Sequence, residues 1–200
     1  KWALKYQVKI GAHPSYPDKM NFGRKSIGMG RDELIESVQT QIENLMQIID
    51  SQGAQLNHIK PHGALYNDIA SNQSLARIFL EAVLPYKHKA VLYVPYNSVI
   101  ERESLIQGFS IVHEAFADRA YSDDLSLVSR EQKEALITNI EQVYRQVSEI
   151  FYSNKVLSIS NKSLYLKADT YCVHSDTQNA LEIVKFLYHK LVKKIEFEDL

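Results

Sequence analysis

Two kinds of segment alternate along the chain: short apolar runs rich in branched and aromatic residues, and longer stretches whose apolar residues recur every three or four positions. The short runs predict strands at residues 6–12, 55–60, 90–94, 110–116, 155–160 and 170–173, with 164–167 as a further hairpin strand. Their nearly continuous apolar character suits a parallel sheet covered on both faces. Among the longer stretches, Leu34, Val38, Ile42, Leu45 and Ile49 share one helical face, with Asp32 placed to cap its start. Leu136, Ile140, Val143, Tyr144, Val147, Ile150 and Phe151 form the cleanest stripe, which a capping box from Ser129 to Gln132 would open. A last helix is expected over residues 178–195, with Ala180, Val184, Leu187, Leu191 and Ile195 inward.

Alternating βα units admit an open doubly wound sheet or a closed β/α barrel. The polar residues favour the barrel. His13-Pro14-Ser15, Lys60-Pro61-His62-Gly63, Pro95-Tyr96-Asn97, Asp118-Arg119 and His174-Ser175-Asp176 all follow strand runs directly, at their carboxyl ends. A barrel gathers such loops at one mouth, whereas an open sheet concentrates its site at a single switch point. The fold class expected is therefore α/β, a deformed TIM-like β/α barrel of one domain over residues 1–200. Six or seven strand candidates fall short of eight, so the expected barrel lacks N-terminal strand material.

Composition narrows the function classes. In 200 residues, 45% are apolar and 24% charged, the balance of a water-soluble globule. Lys plus Arg is 23 against 24 Asp plus Glu, which gives no charge excess to draw a nucleic acid or an anionic membrane. No apolar run approaches the roughly 20 residues of a membrane helix, and the first residues carry no signal-peptide pattern. A single cysteine, Cys172, cannot form an internal disulfide, which suits a reducing, cytoplasmic setting. Cys172 lies within an apolar strand run and reads as a buried, inert thiol.

The strand-end clusters carry the candidate chemistry. Lys60 and His62 flank a proline that ends a strand, as a cationic pair able to bind a carboxylate or phosphate; the plainer alternative is a solvated strand end. The loop Gly11-Ala12-His13-Pro14-Ser15-Tyr16-Pro17-Asp18, followed by Asn21-Phe22-Gly23-Arg24, is dense in turn formers and polar groups, though His13 could simply bond a loop carbonyl. Gly23 and Gly28 have the spacing of a phosphate loop, but Met29 and Gly30 stand where Lys and Ser or Thr belong, so that reading fails. Asp118 offers a general base and Arg119 a fork for a carboxylate, against a salt-bridged strand end. His174-Ser175-Asp176-Thr177 precedes the last helix, where an anion would fit or Asp176 or Thr177 would cap. His58, His88, His113 and His189 lack such context and read as surface or core residues.

Taken together, these clusters, with Lys60-Pro61-His62-Gly63-Ala64-Leu65-Tyr66-Asn67, Glu114-Ala115-Phe116-Ala117-Asp118-Arg119-Ala120-Tyr121, Leu127-Val128-Ser129-Arg130 and Cys172-Val173-His174-Ser175-Asp176, resemble the LamB/YcsF family. The resemblance implies a deformed β/α barrel of the polysaccharide-deacetylase type. It also implies ATP-dependent hydrolytic opening of 5-oxoproline to glutamate in company with two partner subunits, B and C. ATP is then a cosubstrate, with Mg2+ as its accompanying cation, and coupling would activate an otherwise poor lactam electrophile. The implied catalytic residues are His13, Lys60, His62, Asp118, His174 and Asp176. Asp118 would position or deprotonate water, and Lys60, His62 and Arg119 would hold anionic groups. Asp18, Asn21, Arg24, Tyr66, Asn67 and Arg119 are the implied substrate contacts, and no resident metal is expected. Three features depart from the family pattern: an acidic strand end and a Cys-Gly-Phe-His-Ala-Gly-Asp-like segment are absent ahead of Gly11, Ser175 replaces a glycine, and Leu125 stands where a glycine is common.

Two other readings use the same residues. One takes His13, His62, His174 and nearby aspartates as ligands of a divalent metal in an amidohydrolase or deacetylase. His58 and His62 alone are close in sequence, and four residues of extended strand separate them by roughly 13 Å. The other makes the chain a non-catalytic binding subunit.

Overall fold

The computed structural model describes residues 1–192 of the chain, in two compact units, residues 1–112 and 113 onward. In the first, α1 (Trp2–Lys5) precedes the parallel strands β1 (Ile10–Ala12), β2 (Leu56–Ile59) and β3 (Val91–Val94). The helices α2 (Arg31–Ser51), α3 (Gly63–Ser71), α4 (Gln73–Val83) and α5 (Val99–Ile106) connect and follow these strands. Strand β4 (Ile111–Phe116) runs into the second unit, which adds α6 (Ile140–Ser153), an antiparallel hairpin of β5 (Lys155–Leu157) and β6 (Ser163–Tyr165), β7 (Thr170–Cys172) and α7 (Ala180–Leu187). β7 lies parallel to β4, with Glu114 opposite Thr170 and Phe116 opposite Cys172. Parallel strands joined through helices are the α/β class the periodicity predicts, of the deformed TIM-like β/α type.

In the first unit the register sets the site. Gly11 pairs with His58 and Ala12 with Ile59, while His58 pairs with Val91. The ladder continues past the strands: Lys60 N–H donates to the Ala12 carbonyl at 2.9 Å and His62 N–H to the Pro14 carbonyl at 2.8 Å. Residues two apart share a face of a strand, so His13 follows Gly11, and Lys60 follows His58, on the same side. The core beneath consists of Leu34, Val38 and Ile42 of α2, Ile59 and Leu92 of the strands, Leu65 and Ile69 of α3, and Phe79 and Leu80 of α4. Each such side chain contributes about 1.5–3 kcal/mol by leaving water.

The second unit is smaller. Ala117, Val143, Val147, Ile183 and Leu191 form its core. Asn139 caps α6, its side chain accepting from Gln142 N–H at 3.1 Å, and Asn154 closes the helix in the left-handed conformation.

Several expected boundaries move. The first strand is shorter than predicted: Tyr6 and Gln7 form the turn that ends α1, with Gln7 at positive φ, and β1 begins only at Ile10. Trp2 stacks on Tyr6 there with ring centroids 5.9 Å apart, and is 70% exposed. Gly30, not Asp32, caps α2; Asp32 lies in the first turn, where its charge still suits the helix N-terminus. No helix begins at Ser129. Residues 119 and 136 form an antiparallel bridge that keeps the intervening segment irregular, and Leu136 and Phe151 are exposed. In α7 the inward residue is Ile183, while Val184 is exposed, and the helix widens into a π turn at Tyr188–Val192. Ile195 lies outside the described residues.

Candidate active site

In the first unit, the loop after β1 is bolted down before it offers any chemistry. Ser15 N–H donates to Gln41 Oε1 at 3.0 Å, and Gln41 Nε2 donates back to the Ser15 carbonyl at 2.9 Å, so α2 grips the loop at one residue. The Tyr16 hydroxyl donates to Asp68 of α3 at 2.8 Å, and Ser26 donates to the other oxygen of the same carboxylate at 2.9 Å. Burial and the neighbouring Asp68 carboxylate push the Tyr16 phenol well above its ordinary range. Asp18 accepts from the Asn21 backbone and side-chain amide, at 3.2 and 2.7 Å. These two expected substrate contacts bond to each other and shape the turn.

The turn brings Gly23 onto the start of α3. Its carbonyl accepts from Ala64 N–H at 2.9 Å, and a Cβ on Gly63 would lie 2.3 Å from that oxygen. Gly63 also holds φ at +61°, so position 63 demands glycine twice over.

His13 and His62 meet on this frame. His13 Nδ1 lies 2.7 Å from the Lys60 carbonyl, His13 Nε2 lies 3.0 Å from His62 Nδ1, and His62 Nε2 lies 2.8 Å from the Phe22 carbonyl. All four ring nitrogens thereby lie within hydrogen-bond distance of a neighbour, and among the described residues there is no group of three His, Cys, Asp or Glu able to hold a metal ion. Phe22, at positive φ, packs edge-on against His62, and the Arg24 guanidinium sits 5.1 Å from the Phe22 ring. Lys60 Nζ lies 5.8 Å from the ring of Tyr66, which is buried in α3, whereas Asn67 is exposed on the same helix. Beneath these groups His58 stacks on Tyr93, with ring centroids 4.1 Å apart, and a Cβ on Gly11 would fall 2.0 Å from His58 Nε2. Burial, then Lys60 and Lys9, hold the His58 imidazole below its ordinary pKa, so it is neutral at pH 7. Neither His58 nor Tyr93 stands out in the sequence; period-two alternation from His13 and Lys60 back into the strands was the signal available.

In the second unit, Asp118 follows β4 and is completely buried. One carboxylate oxygen lies 2.9 Å from His174 Nδ1. The other accepts from His174 N–H at 2.8 Å and from the Thr177 hydroxyl at 2.5 Å. Burial alone would raise the Asp118 pKa, but the bonds from the His174 ring, Thr177 and the His174 backbone outweigh it and hold the carboxyl below its usual range. Asp118 is thus an ionised acceptor turned to His174, not a group open to water. With Nδ1 protonated against the carboxylate, Nε2 of His174 carries the lone pair and, among the described residues, no hydrogen bond. The ring stacks on Phe116 with centroids 5.5 Å apart. Thr177, expected only as a helix cap, instead donates to Asp118, and Asn179 precedes α7.

Arg119 is 5% exposed, and its Nε and Nη2 donate to the carbonyls of Ala135 and Val128 at 3.2 and 2.5 Å. These two donors strap the irregular segment after β4 to the strand end. Gln146 of α6 completes the hold, donating to the carbonyls of Phe116 and Arg119 at 2.8 and 3.0 Å. Asp176 is exposed, 3.9 Å from Arg130 Nη1. Cys172 is half-buried in β7, less enclosed than expected.

Parallel strands that carry titratable clusters at their carboxyl ends, Lys60 with two histidines in one unit and Asp118 with His174 in the other, define an α/β protein of the TIM-like class. The chain belongs to the LamB/YcsF family, whose model matches residues 1–198. It is 37% identical over 194 residues to the A subunit of 5-oxoprolinase from Staphylococcus aureus strain Newman, spanning 97% of this chain and 78% of that protein, with the same figures for strain Mu50. A crystal structure of a lactam utilization protein from Thermus thermophilus superposes with a TM-score of 0.84 at 30% identity, over 94% of this chain and 76% of that one.

Proposed function

We propose that this chain is the A subunit of an ATP-dependent 5-oxoprolinase, which opens 5-oxoproline to glutamate together with subunits B and C in the cytoplasm. The observation that carries a hydrolytic role is the Asp118–His174–Thr177 group: a buried carboxylate fixes one imidazole tautomer and leaves Nε2 to accept a proton. In the reaction, His174 Nε2 takes a proton from the attacking water as its oxygen bonds to the lactam carbonyl carbon. The ring C–N bond then breaks, and the nitrogen leaves with a proton as the amine of glutamate. Asp118 positions His174 and stabilises the imidazolium that forms. Within the first unit, Lys60 stands beside the His13–His62 pair at the end of β2, a setting for an anionic group.

In the assembled enzyme, coupled hydrolysis of ATP to ADP and phosphate would drive the opening of the lactam. The Gly23–Gly28 segment is not a phosphate-binding loop: Gly23 packs on Ser15 and His62, a Cβ on Gly28 would meet nothing within 4 Å, and Met29 and Gly30 stand where Lys and Ser or Thr belong.

The test is glutamate release from 5-oxoproline by the chain co-purified with subunits B and C, with and without ATP. The expected result is ATP-dependent glutamate, reduced about 10²–10⁴-fold by His174→Gln. An intact complex that releases none overturns the assignment, and full activity in the variant overturns the base.

A further inference from the structure

Strand parity builds the surroundings of His174. Phe116 of β4 pairs with Cys172 of β7, so two residues further along Asp118 comes beside His174 on the same face, with Phe116 one step below them. Asp118 reaches one edge of the imidazole, its oxygens 2.9 and 3.1 Å from Nδ1. The χ2 torsion of histidine is broad and a hydrogen bond tolerates a wide angle, so that edge contact alone leaves the ring free to swing. The Phe116 ring closes this freedom. It lies against the face of the imidazole, 21° from parallel with centroids 5.5 Å apart, and is itself buried.

Phe116 is anchored in turn through both of its peptide groups. Ala117 N–H donates to the Cys172 carbonyl on β7 at 2.9 Å, whereas the Phe116 N–H turns the other way, to the Tyr121 hydroxyl at 2.7 Å. The Phe116 carbonyl accepts from Gln146 Nε2 at 2.8 Å. Tyr121 is buried, and its own carbonyl accepts from Ile159 N–H at 2.8 Å. Two side chains thus make the bonds to Phe116 that a neighbouring strand makes elsewhere in a sheet.

We propose that Phe116 is a positioning residue for the hydrolytic reaction: its ring is the floor that aims His174 Nε2, and Tyr121 and Gln146 hold that floor in place. This rests on the reading of His174 as the base. A swing of the imidazole that moves Nε2 by about 1 Å costs up to about 10²-fold in rate. Loss of the flat ring therefore slows the chemistry without weakening substrate binding.

Three variants test this. Phe116→Leu keeps an apolar side chain but no flat face, Phe116→Tyr keeps the ring, and Tyr121→Phe removes the acceptor of the Phe116 N–H. In the chain co-purified with subunits B and C, Phe116→Leu is expected to lower kcat for glutamate release about 10–100-fold with KM within about twofold of the wild type. Phe116→Tyr should restore most of that rate, and Tyr121→Phe should lower kcat by less, again at constant KM. In the full chain, proton–nitrogen NMR should show the His174 Nδ1–H of Phe116→Leu exchanging faster with water than that of the wild type. Wild-type kcat in Phe116→Leu, no rescue by Phe116→Tyr, or a loss carried by KM overturns the floor. Unchanged kcat in Tyr121→Phe overturns the anchor. A wild-type complex that releases no glutamate counts against the oxoprolinase reading, and the exchange experiment then decides separately whether Phe116 holds the ring: equal exchange in wild type and Phe116→Leu overturns the proposal.

Discussion

Burial of a carboxylate costs free energy unless its oxygens are bonded, and three donors from two residues bond Asp118. Because these bonds favour the ionised form, the folded pKa lies below the unfolded one. The stability they bring is present above the ordinary carboxylate range and is lost as pH falls below about 4. Urea unfolding at pH 5 and pH 3 should show this loss, and Asp118→Asn should flatten it. In the assembled enzyme the same variant should lower glutamate release about 10²–10⁴-fold, since an amide neither fixes the tautomer nor stabilises imidazolium. Leu125 is a second residue whose local setting decides a prediction. It stands where the family pattern favours glycine, and its φ is +67°, a conformation that costs a branched side chain about 1 kcal/mol. Leu125→Gly should therefore stabilise the fold by about 0.5–1 kcal/mol, read as an upward shift in the thermal midpoint. Ser175, the other departure, has no positive φ, and its serine is accommodated.

Among the elements, the junction of the first loop with α3 is the tightest. Gly63→Ala drives a methyl into the Gly23 carbonyl at a left-handed φ, and about 2 kcal/mol of lost stability, or a fall of about 4–8 °C in the thermal midpoint, is expected. Gly28→Ala is the control, since its methyl meets nothing within 4 Å, and should shift stability by no more than about 0.5 kcal/mol. The strands were legible because branched, apolar residues mark them: β2, β3 and β4 fall within the predicted spans. The start of α6 was not, because Ser129 and Gln132 mimic a capping box while the Arg119 strap and the bridge from residue 119 to 136 hold that stretch out of a helix. Likewise α3 hid behind the Lys60-Pro61-His62-Gly63 turn, since its first residue is a glycine chosen for the Gly23 carbonyl. Strand-end polarity pointed to His13, His62, Asp118 and His174. It could not show that Asp18 and Asn21 would bond to each other, or that two Arg119 donors would go to carbonyls, because those outcomes depend on contacts made only after folding.

For the molecule as a whole, near-neutral charge and ordinary composition left nucleic acid and membranes without an electrostatic argument, and no described helix is long and apolar enough to cross a bilayer. The single tryptophan bears on how every stability prediction above is measured. Trp2 is on α1, stacked on Tyr6 beneath the Lys5 ammonium and largely hydrated, with none of α1 in the core. Its emission in the folded chain should already be that of a solvated indole, and melting of the core should change it little. Fluorescence and far-ultraviolet dichroism recorded on one denaturation series should then diverge, the first following the local coil of α1 and the second the helices. An unfolding curve taken from the indole alone would describe four residues at the edge of the protein.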